Sequence, residues 1–268
     1  MTILDRIVAD TRRLVDERKR QVSVRDLEAR PFFAAPARPF AEVLRQPDEI
    51  SVIAEIKRAS PSAGVIREPF DVPAIARAYE AGGAAAISVL TEPLHFQGAL
   101  ENLTLARPHT KRPLMRKDFI VDPYQLIEAK AYGADAVLLI AAVLDRHKLH
   151  DLHQAADDLG LGCLVELYDA GELSRVDLDQ VRVLGVNNRD LRTFEVDIEH
   201  SLRVFAELPA GVVRVSESGL KTAAHLAHLR RHGTDAVLIG ESLMRAPDPG
   251  DALRRLRTDT LEALRESV

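Results

Sequence analysis

The chain is short of several residue types, and each shortage excludes a class of protein. Cys163 is the single cysteine among 268 residues, which leaves no internal disulfide and no cysteine-based zinc cluster. Tryptophan is absent and aromatic residues make up only 4%, so the stacking platforms that bind single-stranded nucleic acid are lacking. The longest apolar run, residues 136–144, has nine residues, far fewer than the roughly 20 that a membrane span needs.

The charge pattern also argues against a nucleic-acid partner. The 36 basic and 41 acidic residues are interspersed and give a net charge of −5, so no basic face is indicated. Asp5 and Arg6 stand near the start with no apolar segment after them. We therefore expect no secretory signal and a cytoplasmic location.

A repeating pattern dominates the chain from residue 50 onward. Hydrophobic residues make up 46% and charged residues 29%, which is typical of a globular protein and excludes disorder. Eight short apolar runs recur, and each is followed by a longer stretch with helical spacing of apolar residues. These runs are Ser51–Lys57, Ala85–Leu90, Pro113–Asp118, Asp135–Ile140, Gly162–Leu167, Arg182–Asn187, Val212–Glu217 and Asp235–Gly240.

The runs predict parallel strands joined by helices. Successive runs start 20 to 34 residues apart, which leaves room for one helix between strands, and strands joined in this way are parallel. The fold class is therefore α/β, and a closed (β/α)8 barrel is favoured. An open doubly wound sheet is the alternative. Against it, the first run is not followed by a Gly-x-Gly-x-x-Gly turn, and no run ends in a Gly-Lys-Ser/Thr phosphate loop.

Residues 1–50 predict an N-terminal helical extension that packs on a barrel of residues 51–268. Apolar residues at helical spacing predict a helix from about residue 3 to residue 19. A proline-broken segment follows, and a short helix is expected around Phe40–Arg45. Leucines at helical spacing from Asp251 onward predict the eighth helix of the barrel.

Polar residues stand at the ends of five of the eight predicted strands. Parallel barrels place their functional groups at the carboxyl ends of the strands. Alternation along a strand puts Glu55 and Lys57 on one face with Ile53, and we expect that face to point into the barrel. A buried ion pair that only fixes packing is the structural alternative, but burying so many ionisable groups is costly. The residues expected to converge are Glu55, Lys57, Lys117, Glu166, Asn187 and Glu217.

Glycines after the last two strands predict an anion site. Ser218 and Gly219 follow the seventh run, and Gly240 and Glu241 follow the eighth. Backbone N–H groups at such turns bind anions, and barrels often hold phosphate between these two loops. A phosphorylated small molecule is therefore the expected ligand.

The remaining titratable residues are expected to be structural. His147, His150 and His153 recur every three residues on a predicted helix, and we expect a solvated face rather than a metal site. His225 and His228 receive the same interpretation, so no metal is expected. Cys163 falls on the helix-facing side of the fifth strand and is expected to pack in the core.

At these positions the sequence resembles a known family, the indole-3-glycerol-phosphate synthases of tryptophan biosynthesis. The motifs run in order along nearly the whole predicted barrel. They are Ile53–Ser62, Leu90–Glu92, Phe96–Gly98, Arg116–Phe119, Leu164–Glu166, Gly185–Leu191, Ser216–Gly219 and Leu238–Met244. The N-terminal extension also resembles that of the family, where it helps to cover the substrate. The resemblance implies a TIM barrel and a carboxy-lyase, and an enzyme that needs no cofactor.

The implied reaction is the decarboxylating and dehydrating ring closure of 1-(2-carboxyphenylamino)-1-deoxyribulose 5-phosphate. The resemblance makes Lys117 the general acid for ring closure, and the later loss of water gives Lys57 the role of acid and Glu166 that of base. Glu55 and Glu217 would orient the ammonium groups. Burial and clustered cations lower a lysine pKa while these carboxylates raise it, and the sequence does not decide which prevails.

The resemblance also implies a binding set around these catalytic groups. Arg189 would hold a carboxylate or another anionic group, and Phe96 would pack on the anthranilate ring. Asn187 and Ser60 would position hydroxyls. The phosphate would be held by backbone amides, and the residues assigned to that end are Ser218, Gly219, Leu238, Gly240 and Glu241.

Three positions depart from the family pattern. Ala63 stands where members often carry lysine, which removes one flexible cation from the first loop. His95 precedes Phe96 where a second aromatic residue is common. Glu241 stands where some members have serine, so only its amide is expected to bind phosphate.

Two other functions remain open at this stage. A related barrel that isomerises an aminoaldose, such as phosphoribosylanthranilate isomerase, would need an acid and a thiol or carboxylate base across the mouth. A non-catalytic barrel that binds a phosphorylated metabolite would keep the glycines and lose the acid and base groups. We expect no nucleic-acid or membrane partner, and a monomer or a weak homodimer.

Overall fold

Eight parallel strands close into a barrel in the computed structural model, which describes residues 2–190 and 195–266. The fold class predicted from the sequence is confirmed, and each predicted run contains one barrel strand with ends that agree within one residue. The barrel strands are β1 (Ser51–Ile56), β4 (Ala86–Leu90), β5 (Leu114–Lys117), β6 (Ala136–Ile140), β7 (Gly162–Leu167), β8 (Val183–Asn187), β9 (Val213–Glu217) and β10 (Ala236–Ile239). A two-stranded hairpin, β2 (Ala59–Ser60) and β3 (Gly64–Val65), follows β1.

Helices surround the barrel and precede it. They are α1 (Ile3–Gln21), α2 (Val24–Glu28), α3 (Phe40–Leu44), α4 (Val72–Gly82), α5 (Glu101–Ala106), α6 (Pro123–Ala131), α7 (Arg146–Asp158), α8 (Glu199–Phe205), α9 (Ala223–Arg231), α10 (Glu241–Arg245) and α11 (Pro249–Arg265). The connection after β7 departs from the expected pattern, because it holds only a short 3-10 helix, Ala170–Arg175. This is the shortest spacing between predicted strands, and it leaves little chain for a full α-helix.

Side chains along each strand point alternately into the barrel and towards the helices, as the sequence predicts. Ile53, Leu138 and Leu164 belong to the cluster inside the barrel. Val52 and Cys163 belong to the larger cluster between the strands and the helices. The predicted core position of Cys163 is therefore confirmed, and burial raises the pKa of its thiol.

Helix α3 closes the amino-terminal end of the barrel. Phe40 and Leu44 are buried with the inner cluster, and Phe40 packs against Gly162 at the start of β7. The opposite end, where the strands finish, is the end left for a ligand.

Helix α1 begins with a capping box and lies along the barrel. The Thr2 hydroxyl accepts from the Asp5 N–H and the Asp5 carboxylate accepts from the Thr2 N–H, which satisfies donors at the helix start. Near its other end, Arg18 Nε lies 2.8 Å from Glu128 Oε1 on α6. The helix is two residues longer than the sequence predicts. Among the described helices, none combines the length and the apolar composition of a membrane span.

One histidine prediction is wrong. His153 is buried, with 4% of its surface exposed, rather than solvated. It lies beside Leu152 on the inner face of α7, between Leu149 and Ala156, and burial lowers its pKa. Within the described residues there is no group of histidine, cysteine, aspartate or glutamate side chains arranged to hold a metal ion.

Candidate active site

One cavity of about 720 Å³ opens at the carboxyl ends of the strands. Every residue that the sequence singles out for catalysis or binding lines it, although their roles stay predictions. These residues are Glu55, Lys57, Ser60, Phe96, Lys117, Glu166, Asn187, Arg189, Glu217, Ser218, Gly219, Leu238, Gly240 and Glu241. The cavity has further walls that the sequence reasoning did not assign, among them Ile3, Leu4, Ile7, Phe119, Lys221, Ser242 and Arg245.

Lys117 ends β5 and lies between two carboxylates from other strands. Its Nζ is 3.2 Å from Glu166 Oε2 and 3.1 Å from Glu217 Oε2. Burial lowers the pKa of Lys117, but the negative charges of Glu217, Glu166 and Glu55 outweigh burial and raise the pKa above its ordinary value. The question left open by the sequence is thereby answered for this lysine, which carries an ammonium group at neutral pH.

Glu217 ends β9 and is the most deeply buried of these acids, with 1% of its surface exposed. Burial raises its pKa to about 8, opposed by the Lys117 ammonium and reinforced by the Glu166 charge. Its Oε1 atom is buried and has no hydrogen-bond partner among the described residues. Gly185 makes room for it, because a Cβ there would overlap Glu217 Oε1. Burial and the neighbouring Glu166 charge thus favour the protonated form of Glu217, the Lys117 ammonium favours its charged form, and its Oε1 faces no hydrogen-bond donor among the described residues.

Glu55 and Lys57 form a second acid and ammonium pair at the end of β1. Lys57 Nζ lies 2.6 Å from Glu55 Oε1, and Glu55 is 2% exposed. Gly240 lies directly beside this carboxylate, and a Cβ there would overlap Glu55 Oε1. The Tyr79 hydroxyl donates to the Glu55 carbonyl from behind the strand. The two lysines thus reach the cavity from the ends of different strands, Lys57 beside one carboxylate and Lys117 between two.

Asn187 and Arg189 continue the wall beyond β8. Asn187 Nδ2 lies 3.5 Å from Glu166 Oε1, and Asn187 Oδ1 accepts from the Arg189 N–H at 3.0 Å. Behind them, Asn188 is buried and donates to the Ser216 hydroxyl at 2.8 Å. Asn188 received no role from the sequence. Leu191, the last residue of that motif, lies outside the described residues.

The loops after β9 and β10 form the side of the cavity predicted to bind phosphate. Ser218 and Gly219 have φ angles of 70° and 77°, in the left-handed region that residues other than glycine rarely adopt. Gly219 is also closely approached, since a Cβ there would overlap Val196. Arg245 lines the same side and lies 3.0 Å from Glu241. The Glu241 side chain is thus paired with a cation.

Aromatic and apolar groups line another part of the cavity. The rings of Phe96 and Phe119 lie 6.2 Å apart between centroids, and Ile3, Leu4 and Ile7 of α1 cover this part of the cavity. At the first loop, the Ser60 hydroxyl accepts from the Ala63 N–H at 3.2 Å.

A buried charge network lies behind Lys117. Arg116 has no exposed surface; its Nη2 lies 2.9 Å from Asp118 and its Nη1 lies 3.2 Å from Glu128. Glu128 also pairs with Arg18 of α1. Arg116, which does not line the cavity, and Asp118 flank Lys117 in sequence. The network therefore fixes the strand end that carries Lys117 to α6 and α1.

Comparisons with known proteins agree with this geometry. A family model described as indole-3-glycerol phosphate synthase matches residues 4–256. The chain is 57% identical over 261 residues to an indole-3-glycerol phosphate synthase of Salinibacter ruber, covering 97% of this chain and 96% of that protein. It is 49% identical over 248 residues to the protein of that name from Rhodopirellula baltica, covering 92% and 96%.

Solved structures with low sequence identity share the barrel. A 3-hexulose-6-phosphate synthase from Salmonella typhimurium aligns with a TM-score of 0.64 at 15% identity over 80% of this chain and 99% of that chain. A thiamine phosphate pyrophosphorylase from Pyrococcus furiosus aligns with a TM-score of 0.60 at 18% identity, over 81% and 98%. These likenesses show the fold alone. The family model and the two sequence relatives span almost the whole chain, and the chain therefore belongs to the indole-3-glycerol phosphate synthase family.

Proposed function

We propose that this chain converts 1-(2-carboxyphenylamino)-1-deoxyribulose 5-phosphate into indole-3-glycerol phosphate, carbon dioxide and water. The observation that supports this most strongly is the presence of two ammonium groups in one cavity, that of Lys57 paired with one carboxylate and that of Lys117 with two. The reaction has two steps that need a proton donor, first at a carbonyl oxygen and later at a leaving hydroxyl. Two separate ammonium groups, those of Lys117 and Lys57 at the ends of different strands, suit the two steps.

Lys117 is proposed as the acid for ring closure. The aromatic carbon that bears the carboxylate attacks the ribulose carbonyl carbon, and the electron pair of that carbonyl moves to its oxygen. An ammonium group within reach donates a proton there and prevents a full negative charge from forming. The carboxylates that raise the pKa of Lys117 keep the ammonium group protonated before the substrate arrives. General acid catalysis of this kind contributes roughly 10²–10⁴-fold in rate.

Lys57 and Glu166 are proposed to act after the carboxyl group is lost as carbon dioxide. Departure of carbon dioxide returns its bonding electrons to the ring and restores aromaticity. The former carbonyl oxygen is now a hydroxyl, which leaves as water when Lys57 protonates it. Glu166 takes the proton that must leave the neighbouring atom so that the new double bond forms. Glu55, 2.6 Å from Lys57 Nζ, orients that ammonium group.

The binding roles follow the walls of the cavity. Phe96 would pack on the anthranilate ring on the apolar side, and Arg189 would hold a substrate carboxylate by a fork of hydrogen bonds. Asn187 and Ser60 would orient ribulose hydroxyls, and Glu217, 3.1 Å from Lys117 Nζ, would orient that ammonium group. The phosphate would meet backbone N–H groups of Gly219, Gly240 and Glu241, with Ser218 and Leu238 shaping that end.

A fluorescence assay tests this function directly. The purified chain is mixed with the synthetic substrate without added metal, and the indole fluorescence of the product is followed. We expect turnover that depends on substrate concentration. If no product forms and chromatography shows that the substrate is unchanged, the proposal is contradicted. The cytoplasmic location stays a prediction. The oligomeric state, a monomer or a weak homodimer, also stays a prediction, and light scattering tests it.

A further inference from the structure

A side-chain hydrogen bond joins helix α1 to the loop after β4. His95 Nε2 lies 3.0 Å from Asp10 Oδ2. The side chain of His95 is 21% exposed and that of Asp10 is 37% exposed. A carboxylate only accepts hydrogen bonds, so Nε2 donates to it in the neutral imidazole as well as in the charged one.

Asp10 continues the face of α1 that covers the cavity. Ile3 and Ile7 line the cavity, and Asp10 follows them at a spacing that keeps it on the same side of a helix. At the other end of the helix, Arg18 and Lys19 pair with α6. Among residues 2–190 and 195–266, the Asp10–His95 contact is the sole ion pair or side-chain hydrogen bond that joins residues 3–17 to the barrel.

The loop that carries His95 is held rigid from inside. The carboxylate of Glu92, which is 1% exposed, accepts three backbone N–H groups at 3.0, 2.7 and 3.0 Å. The donors are Leu94, His95 and Phe96, so the backbone of His95 and that of Phe96 are fixed to the same acid. A displacement of His95 therefore displaces Phe96.

We propose that His95 and Asp10 are a positioning pair, which joins the helix over the cavity to the loop that places Phe96. Ile3 and Ile7, which cover the cavity, and Phe96, which forms its aromatic wall, then keep fixed positions relative to each other around the substrate's anthranilate ring. Neither residue touches a reacting atom. This inference rests on the proposed function for the identity of the substrate, and its structural part does not depend on turnover.

A double-mutant cycle in steady-state kinetics tests the pair. Asp10→Ala and His95→Ala are each expected to raise KM by about 3- to 10-fold, the effect of losing one partly exposed hydrogen bond. The value of kcat is expected to stay within about twofold, because the acids and the base are untouched. The double variant should have the KM of the worse single variant. His95→Gln, whose amide can donate to Asp10, should restore most of the wild-type KM.

Matched controls and a second measurement separate this role from general stability. Asp16→Ala removes an exposed carboxylate from the same helix and should leave KM unchanged. Hydrogen–deuterium exchange of the substrate-free protein should rise over residues 3–10 in both alanine variants and stay at the wild-type level over residues 11–21.

Two results would overturn the pair. One is a hydrogen–deuterium exchange over residues 3–10 that stays at the wild-type level in both alanine variants. The other is a KM in the double variant equal to the product of the two single effects. An inactive wild-type chain would instead contradict the proposed function, and the exchange measurement would still decide whether Asp10 and His95 hold the helix.

Discussion

Lys117 and Lys57 line the same cavity and are similarly buried, yet the barrel surrounds them differently. Lys117 is held between acids from two other strands, at 3.2 and 3.1 Å. Within the part of the chain that the structure describes, Lys57 has one ion-pair partner, Glu55, two residues earlier in the sequence, at 2.6 Å. The ammonium group of Lys117 is thus fixed from two sides, whereas that of Lys57 is held from one. This difference suits an acid that acts first in a fixed position and a second that acts on a hydroxyl formed later.

Loss of Lys117 should have the largest effect. Lys117→Met should lower kcat by roughly 10²–10⁴-fold, because the proposed mechanism uses Lys117 as the proton donor to the carbonyl oxygen during ring closure. Steady-state fluorescence measures the change, and circular dichroism checks that the fold is retained. Lys111→Met, at an exposed position, is the control and should keep the wild-type kcat. A near-normal kcat in Lys117→Met would remove this lysine from its proposed role.

Loss of the base should affect the late step instead. Glu166→Gln keeps the shape of the side chain but cannot take a proton, so dehydration should slow more than ring closure. Single-turnover experiments with rapid quenching should then show an intermediate that builds up and decays. If substrate disappears slowly and nothing accumulates, Glu166 acts in an earlier step.

The two glycines that adjoin the acids allow each lysine pair to be disturbed separately. Gly240→Ala should displace Glu55, and with it Lys57, while Gly185→Ala should displace Glu217 beside Lys117. Misplacement by about 1 Å costs on the order of 10²-fold in rate. We expect Gly185→Ala to slow substrate consumption and Gly240→Ala to slow product formation after carbon dioxide release. The same slow step in both variants would show that the pairs do not act separately.

The smallest effect concerns the pH dependence of stability. Burial raises the pKa of Glu217 from 4.5 to about 8, so between these values the folded protein holds a proton that the unfolded chain has lost. The contribution of Glu217 to the free energy of unfolding therefore falls as pH rises through this range and is constant above it. Thermal melts should show that Glu217→Gln reduces this decline by a few degrees relative to wild type. Parallel curves for the two proteins would contradict the raised pKa.

The barrel and the catalytic side of the cavity could be predicted because they depend on local sequence. Alternation alone places Glu55 and Lys57 with Ile53 on the inner face, and parallel strands bring their ends together. The glycines after β9 and β10 likewise indicate turns from the local sequence, without any knowledge of the rest of the fold. The roles of these residues came from a family resemblance and stay predictions.

The rest could not be predicted because it depends on contacts between distant elements. In the sequence, Arg116 does not differ from the other polar residues at strand ends. Its burial depends on ion pairs with Glu128 of α6 and with Asp118. Nothing near Asp10 indicates that it meets His95. His153 was misplaced because helical spacing gives the face of α7 only approximately, and its boundary is set by the packing of the neighbouring elements.

Carbon dioxide release in a single turnover of Lys117→Met and of Lys57→Met decides whether the two lysines act in separate steps. We expect Lys57→Met to release carbon dioxide close to the wild-type rate and to accumulate a hydroxylated indoline, while Lys117→Met should release almost none. Equal loss of carbon dioxide release in the two variants, or wild-type release in Lys117→Met, would contradict the assignment of separate steps to the two lysines.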